Sequence, residues 1–238
     1  MLKVPEEQIN VRNRLLRALP PSDYERLKRH LHPVRLEIGQ VLCESWEVLP
    51  HAWFVTRGIA SLISTTTDGN TIEVGMIGNE GVIGLPVVLR GERLPFQVNI
   101  QLEGEALRVP LSVLREEFSQ TSALHGLFLR YTFALFVQMS QSGVCNHFHT
   151  IEERLCRWLL ILHDHAQTDT VQVTQELIAD MLGVRRSGVT LVAGTLQRAG
   201  LISYRRGKIT IVNREAIEST ACECYRIVKA EFDQLFVP

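Results

Sequence analysis

"LIADMLGVRRSGVTLVAGTLQRAGLI" occupies residues 177–202, and its reading decides the fold. Thr174, just upstream, can cap a helix starting at Gln175, with Leu177, Ile178 and Met181 as core contacts. Gly183 supplies a tight turn. A second helix then runs from about Arg185 to Ala199, with Val189, Val192 and Leu196 inward. Gly200 ends it where left-handed backbone is needed. Two short helices hinged at a glycine make a helix-turn-helix pattern. The start of the second helix presents Arg185, Arg186, Ser187 and Thr190 outward. Side chains there reach base edges and phosphates when such a helix enters a major groove.

"LISYRRGKITIV" (201–212) follows as two short strands around Arg206 and Gly207, a wing carrying Arg205, Arg206 and Lys208 at its tip. Residues 183–212 hold six Arg and Lys and no Asp or Glu, although the formal net charge of the chain is −1. Such a local basic patch on a near-neutral chain points to a polyanion bound at one place. Double-stranded DNA is the expected partner. The expected contacts are Thr174, Arg185, Arg186, Ser187, Thr190, Arg205, Arg206 and Lys208.

Upstream the texture differs. Between 34 and 109, short β-rich runs ("VRLEIGQVL", "AWFVTRGIASLIST", "DGNTIEVGMIG", "FQVNIQLEGEALRV") alternate with glycine turns, and Asp68-Gly69 marks a hairpin between 61–67 and 71–76. This predicts a small antiparallel β-roll. Further upstream, Ser22 reads as the cap of a short helix after two prolines. Downstream of the roll, Leu124, Phe128, Tyr131, Leu135, Gln138, Ser142 and Cys145 repeat at spacings of four and three, a heptad seam. The expectation is a long dimerisation helix with these seven residues at the interface. Thr150 with Glu153 forms a capping box for a further helix that buries Leu155, Trp158, Leu159 and Leu162. The fold class is therefore α+β. A sensor roll is expected over 1–118, the dimerisation helix and hinge over 119–148, and a winged helix-turn-helix over 149–238.

A hydrophobic content of 45% and a charged content of 21% are ordinary for a globular chain. The basic start "MLKVPEEQINVRNRLL" has no long apolar core behind it, and no apolar run spans a bilayer. Five scattered cysteines do not make a disulfide framework. These features together predict a cytoplasmic protein with reduced thiols and no membrane partner.

The order of roll, long helix and winged helix-turn-helix resembles the Crp/Fnr superfamily of bacterial transcription regulators. The residues carrying the resemblance are "DGNTIEVGMIGNEGVIG" (68–84), "TIEERLCRWLL" (150–160) and 174–211. The resemblance implies a cyclic-nucleotide-binding-type roll, a homodimer, a near-palindromic operator and RNA polymerase as a further possible partner. Two departures stand out. At the recognition helix, the positions matching the family's polar triad are Arg186, Ser187 and Leu191, so the familiar half-site does not carry over. In "EGVIGLPVVLRGERLPFQVNI" (80–100), Gly84 is followed by Leu85 and Pro86 where the family has glutamate, and Pro95-Phe96 stands where it has Arg-Ser. Proline removes an N–H donor and phenylalanine offers none, and burying a phosphate without partners is costly. Gly84, Leu85, Arg90, Arg93 and Phe96 are the candidate effector-pocket residues, and cyclic AMP in the usual mode is not expected.

Three residue sets invite the question of a metal: Cys145 with His147 and His149, His163 with His165, and Cys222-Glu223-Cys224. The last set reads as part of a C-terminal helix, where residues two apart point to different faces and chelate poorly. No metal and no cofactor are expected. A thiol switch at Cys222 and Cys224, a redox, metal or haem sensor, and a constitutive DNA-architectural protein stay open as alternatives. No nucleophile elbow, phosphate-binding loop or zinc-protease motif is present, and the chain is not expected to be an enzyme.

Overall fold

The computed structural model of the chain describes residues 8, 10–85, 89, 91, 93–119, 123–166 and 168–237. It forms two compact units. Met1–Leu62, Met76–Val137 and Ala230–Pro238 make the first, and Ile63–Gly75 with Gln138–Lys229 the second.

The first unit opens with helices α1 (Arg14–Ala18) and α2 (Pro21–Lys28). Asn13 fixes the entry. Its Oδ1 accepts from the Leu16 N–H at 3.0 Å, and its Nδ2 donates to the carbonyls of Val55 and Gly81 at 2.8 Å each. Ser22 does not cap α2: Pro20 occupies the cap position and Pro21 begins the helix, as its preset φ favours. Strands β1 (His32–Leu36), β2 (Val41–Cys43), β3 (His51–Thr65), β4 (Thr71–Ile77), β5 (Val82–Ile83) and β6 (Gln97–Pro110) build one sheet in the order β1-β6-β3-β4, with β2 on β6 and β5 on β3. The β1–β6 ladder is antiparallel and runs from His32 opposite Arg108 to Leu36 opposite Gly104. The predicted hairpin joins β3 to β4. There the Thr66 N–H donates to the Asn70 carbonyl at 2.9 Å, and Gly69 takes a φ of +82°. At Gly104 a Cβ would lie 1.9 Å from the Arg57 carbonyl, so only glycine lets β6 pass β3 that closely.

Helix α3 (Leu111–Ser119) precedes the long helix α4 (Ala123–Phe148). The heptad seam of α4 lies where sequence reading did not put it. Leu124, Phe128, Tyr131, Leu135, Gln138, Ser142 and Cys145 are all buried within the single chain. The Phe128 ring lies tilted 6.2 Å from that of Phe54 on β3, and the Tyr131 hydroxyl accepts the Val82 N–H at 3.1 Å. The seven residues are therefore core, not a dimer seam. At 100° per residue, the opposite side of α4 carries Leu129, Phe133, Phe136, Val144 and Phe148, all exposed.

The second unit contains α5 (Ile151–Ala166), β7 (Thr170–Gln172), α6 (Gln175–Leu182), α7 (Arg186–Arg198), β8 (Ile202–Arg205), β9 (Lys208–Ile211), α8 (Arg214–Thr220) and the start of α9 (Cys224–Gln234). The capping box forms: Thr150 N–H donates to Glu153 Oε2 at 2.8 Å, and Glu153 N–H to Thr150 Oγ1 at 3.3 Å. Leu155, Trp158, Leu159 and Leu162 are buried, as their spacing predicts. The wing has three strands, in the order β7-β9-β8, where sequence reading found two. Arg214 ties α8 to α5 through Asp164 at 2.6 Å, and to the Tyr225 hydroxyl at 2.8 Å. The C-terminal stretch from Ala230 groups with the first unit. Its Phe232 ring lies 6.2 Å from Tyr131, and Arg14 sits 4.2 Å over the ring of Phe236. No helix among the described residues is long and apolar enough to cross a membrane.

Candidate nucleic-acid interface and a buried thiol cluster

The helix-turn-helix forms through the devices the sequence announces. Thr174 Oγ1 accepts the Leu177 N–H at 3.1 Å, which caps α6. Gly183 closes α6 in the left-handed region at φ +61°. Ile178, Met181, Val189 and Leu196 are buried, with Ala193 filling the inward position that Val192 only half occupies. Gly200 ends α7 at φ +74°, and the Leu201 N–H reaches back to the Leu196 carbonyl at 3.0 Å. Buried Arg154 secures the turn by donating to the Leu182 carbonyl and, at 2.8 Å, to Asn146 Oδ1.

All the expected contact residues are exposed: Thr174, Arg185, Arg186, Ser187, Thr190, Arg205, Arg206 and Lys208. They fall in two groups. Arg185, Arg186, Ser187 and Thr190 sit in the first turns of α7, and Leu191 beside them is 69% exposed, unusual for a leucine. Arg205, Arg206 and Lys208 sit at the tip of the wing. Arg206 and Gly207 are consecutive left-handed residues, at φ +50° and +74°, as a two-residue hairpin turn of the primed type requires. The wing is held to α7 by the Tyr204 N–H, which donates to Gln197 Oε1 at 2.7 Å. Thr174 and Thr190 have protein partners as well: Thr174 is the cap of α6, and the Thr190 hydroxyl lies 2.7 Å from Gln175 Oε1. Arg186 lies 3.5 Å from Glu176, but both side chains are exposed, and such a pair is weak and easily exchanged.

The candidate effector residues are dispersed by their environments. Leu85 and Phe96 are buried in the roll. Gly84 takes a φ of +104°, and a Cβ on it would meet Leu49 at 2.9 Å. Arg93 is exposed and donates to the Trp46 carbonyl at 3.3 Å. Arg90 and Pro86 lie outside the described residues.

A second constellation joins residues that the sequence offers only as separate sets. Cys145 near the end of α4, His149 one turn later, Cys222 ahead of α9 and Cys224 at its start place their donor atoms all within 4.8 Å of one another. Cys145 Sγ and Cys222 Sγ are 3.5 Å apart, and Cys224 Sγ is 3.7 Å from His149 Nδ1. The premise that set this group aside, that Cys222 and Cys224 share a helix, does not hold: α9 begins only at Cys224. Two of the three candidate sets are merged by the fold. The third is not, since His163 engages Asp169 at 2.8 Å and also Arg214. In the cluster the hydrogen bond to Cys222 pushes the Cys145 thiol down to about 5, aided by Arg157, while the same bond and burial push Cys222 up. Cys156, outside the cluster, is pushed up to about 12 by burial.

An exposed basic recognition helix beside a basic wing defines a winged helix-turn-helix DNA-binding protein. The Crp-like helix-turn-helix domain profile matches residues 153–220, and the cyclic nucleotide-binding domain profile matches 33–121. With both domains in that order, the chain belongs to the Crp/Fnr family of transcription regulators, which are not enzymes. No curated protein sequence matches it. Solved structures share the fold at low identity. FixK2 from Bradyrhizobium japonicum is 14% identical with a TM-score of 0.69, over 81% of this chain and 98% of that one. The c-di-GMP-responsive global regulator CLP from Xanthomonas campestris is 16% identical with a TM-score of 0.64, over 82% and 100%. A CRP-family transcriptional regulator from Thermus thermophilus is 19% identical with a TM-score of 0.65, over 79% and 96%.

Proposed function

We propose that this regulator works as a homodimer on a near-palindromic operator, and that its roll answers a signal other than cyclic AMP bound in the usual mode. The observation that carries the dimer is the exposed side of α4, where Leu129, Phe133, Phe136, Val144 and Phe148 form an apolar face. A helix apolar on both sides has two partners to serve, its own core and a second surface. A second copy of α4 is that surface, because paired recognition helices then meet two half-sites. Arg185 and Arg186 read bases or grip phosphates. Ser187, Thr190 and Leu191 touch phosphates and thymine methyls, and the wing residues hold the flanking backbone. The reading of the roll is supported by Leu85 and Phe96, which are core residues where a phosphate would need donors.

Selection of bound sequences from random duplex DNA by the full chain tests the reading. The expected product is an inverted repeat whose half-site centres lie about 34 Å apart, one duplex turn. Adding a small-molecule extract of cells is expected to raise affinity for that repeat. Enrichment of single half-sites, or of no sequence, overturns the dimeric reader. Affinity indifferent to any extract identifies a constitutive DNA-binding protein in place of a sensor.

A further inference from the structure

We propose that Cys145, His149, Cys222 and Cys224 hold one thiophilic divalent cation, zinc by their chemistry, in a closed tetrahedral site. Zinc binds thiolate sulfur at about 2.3 Å and imidazole nitrogen at about 2.0 Å, so the donors of a tetrahedral site stand about 3.4–3.8 Å apart. The two donor separations of 3.5 and 3.7 Å fall in that range. All four donors lie within 4.8 Å of one another. A multi-iron cluster needs its ligands spread around several metal atoms, and this set is too tight for one.

The surroundings fit an ion as well as the donors do. His149 turns Nδ1 toward the thiols and Nε2 toward Glu223, whose Oε2 is 3.3 Å away. A carboxylate behind a ligating imidazole fixes the tautomer and leaves the other nitrogen's lone pair for the metal. Glu223 stands between the two cysteines in sequence and so is placed by them. The three sulfurs are buried, and four protein donors leave no open position, as in a structural and not a catalytic site. Binding one divalent cation takes all three cysteines as thiolates and moves no electrons. The resulting charge of −1 is offset by Arg154 and Arg157, both near enough to interact electrostatically with Cys145. A disulfide between Cys145 and Cys222 would account for one pair only, and would leave Cys224, His149 and Glu223 without a reason to converge. Bound metal would join 145–149 to 222–224, two segments remote in sequence.

The test is titration of the full chain, reduced and stripped by chelator, with cobalt(II) and then zinc(II). The expected result is one cobalt per chain, with intense tetrahedral d–d absorption and thiolate charge transfer, displaced by one equivalent of zinc, and a raised thermal midpoint. Cys222→Ser and Cys224→Ser are expected to lose roughly a third of the thiolate absorption each, and Glu223→Gln to weaken binding about ten-fold. Cys156→Ser is expected to bind as the unaltered chain does. The proposal is overturned if the unaltered chain takes up no cobalt, or gives only the weak absorption of octahedral cobalt. It is equally overturned if Cys222→Ser with Cys224→Ser keeps the tetrahedral spectrum. The titration of the unaltered chain needs neither a variant nor DNA, so it decides the matter whatever becomes of the variants or of the operator.

Discussion

Arg186 and Arg206 are both exposed cations, but the backbone beneath them differs. Arg186 begins a helix whose first turns offer side chains to a groove, whereas Arg206 sits in a left-handed hairpin turn at a wing tip. A base contact specifies and a phosphate contact positions. Arg186→Ala is expected to cost about 1–3 kcal/mol on the selected operator and to relax one position in each half-site. Arg206→Ala is expected to weaken all sequences alike and to reduce the salt slope by about one unit. Binding of both variants to a panel of mutated operators at several salt concentrations checks this, and reversed behaviour would mean that the wing reads and the helix positions. Thr174 belongs to a different class of residue, because its oxygen already serves the Leu177 N–H. Thr174→Ala is expected to lower stability by about 1 kcal/mol, seen in chemical denaturation. An unchanged midpoint would remove the cap from the account of α6.

Helix α4 shows why a heptad pattern does not name its partner. Seven residues at coiled-coil spacing read as a seam between chains, and the fold buries them within the one chain. Spacing fixes which residues share a face, not what lies across from it. The two sides of α4 therefore predict opposite outcomes. Phe136 is 67% exposed, and Phe136→Glu is expected to give folded monomers in sedimentation with at least roughly ten-fold weaker operator binding, since each monomer then meets a single half-site. Leu135 is 8% exposed, and Leu135→Glu places a charge in the core, so a collapse of stability or insolubility is expected. A folded, fully dimeric Phe136→Glu chain would remove this face from the dimer.

At the scale of the whole molecule, what bears on effector binding is the filling of the roll. The packing around Gly84, Leu85 and Phe96 fills space in which an anion would need donors. Calorimetry of the full chain with cyclic AMP is expected to show no binding at micromolar concentrations and no gain in operator affinity. Micromolar binding coupled to tighter DNA binding would reverse that reading and return the roll to the familiar mode.

Local chemistry made much of this protein legible in the sequence. The Thr174 and Thr150 caps, the left-handed Gly183 and Gly200, and the Asp68-Gly69 hairpin all depend on neighbours a few residues away, and all formed as read. The clustering of six cations without an anion in 183–212 is likewise a property of the chain alone. What sequence reading missed depends on distant partners. Strand β7 is three residues long and exists only because β9 pairs with it. In the C-terminal stretch, Phe232 and Phe236 find Tyr131 and Arg14, more than a hundred residues away. The thiol cluster brings position 145 to position 222, and no periodicity within either segment encodes that approach. Capping, turn and charge patterns are short-range and written in order. Which buried face meets which, and which donors converge, is set by packing, which only the folded chain resolves.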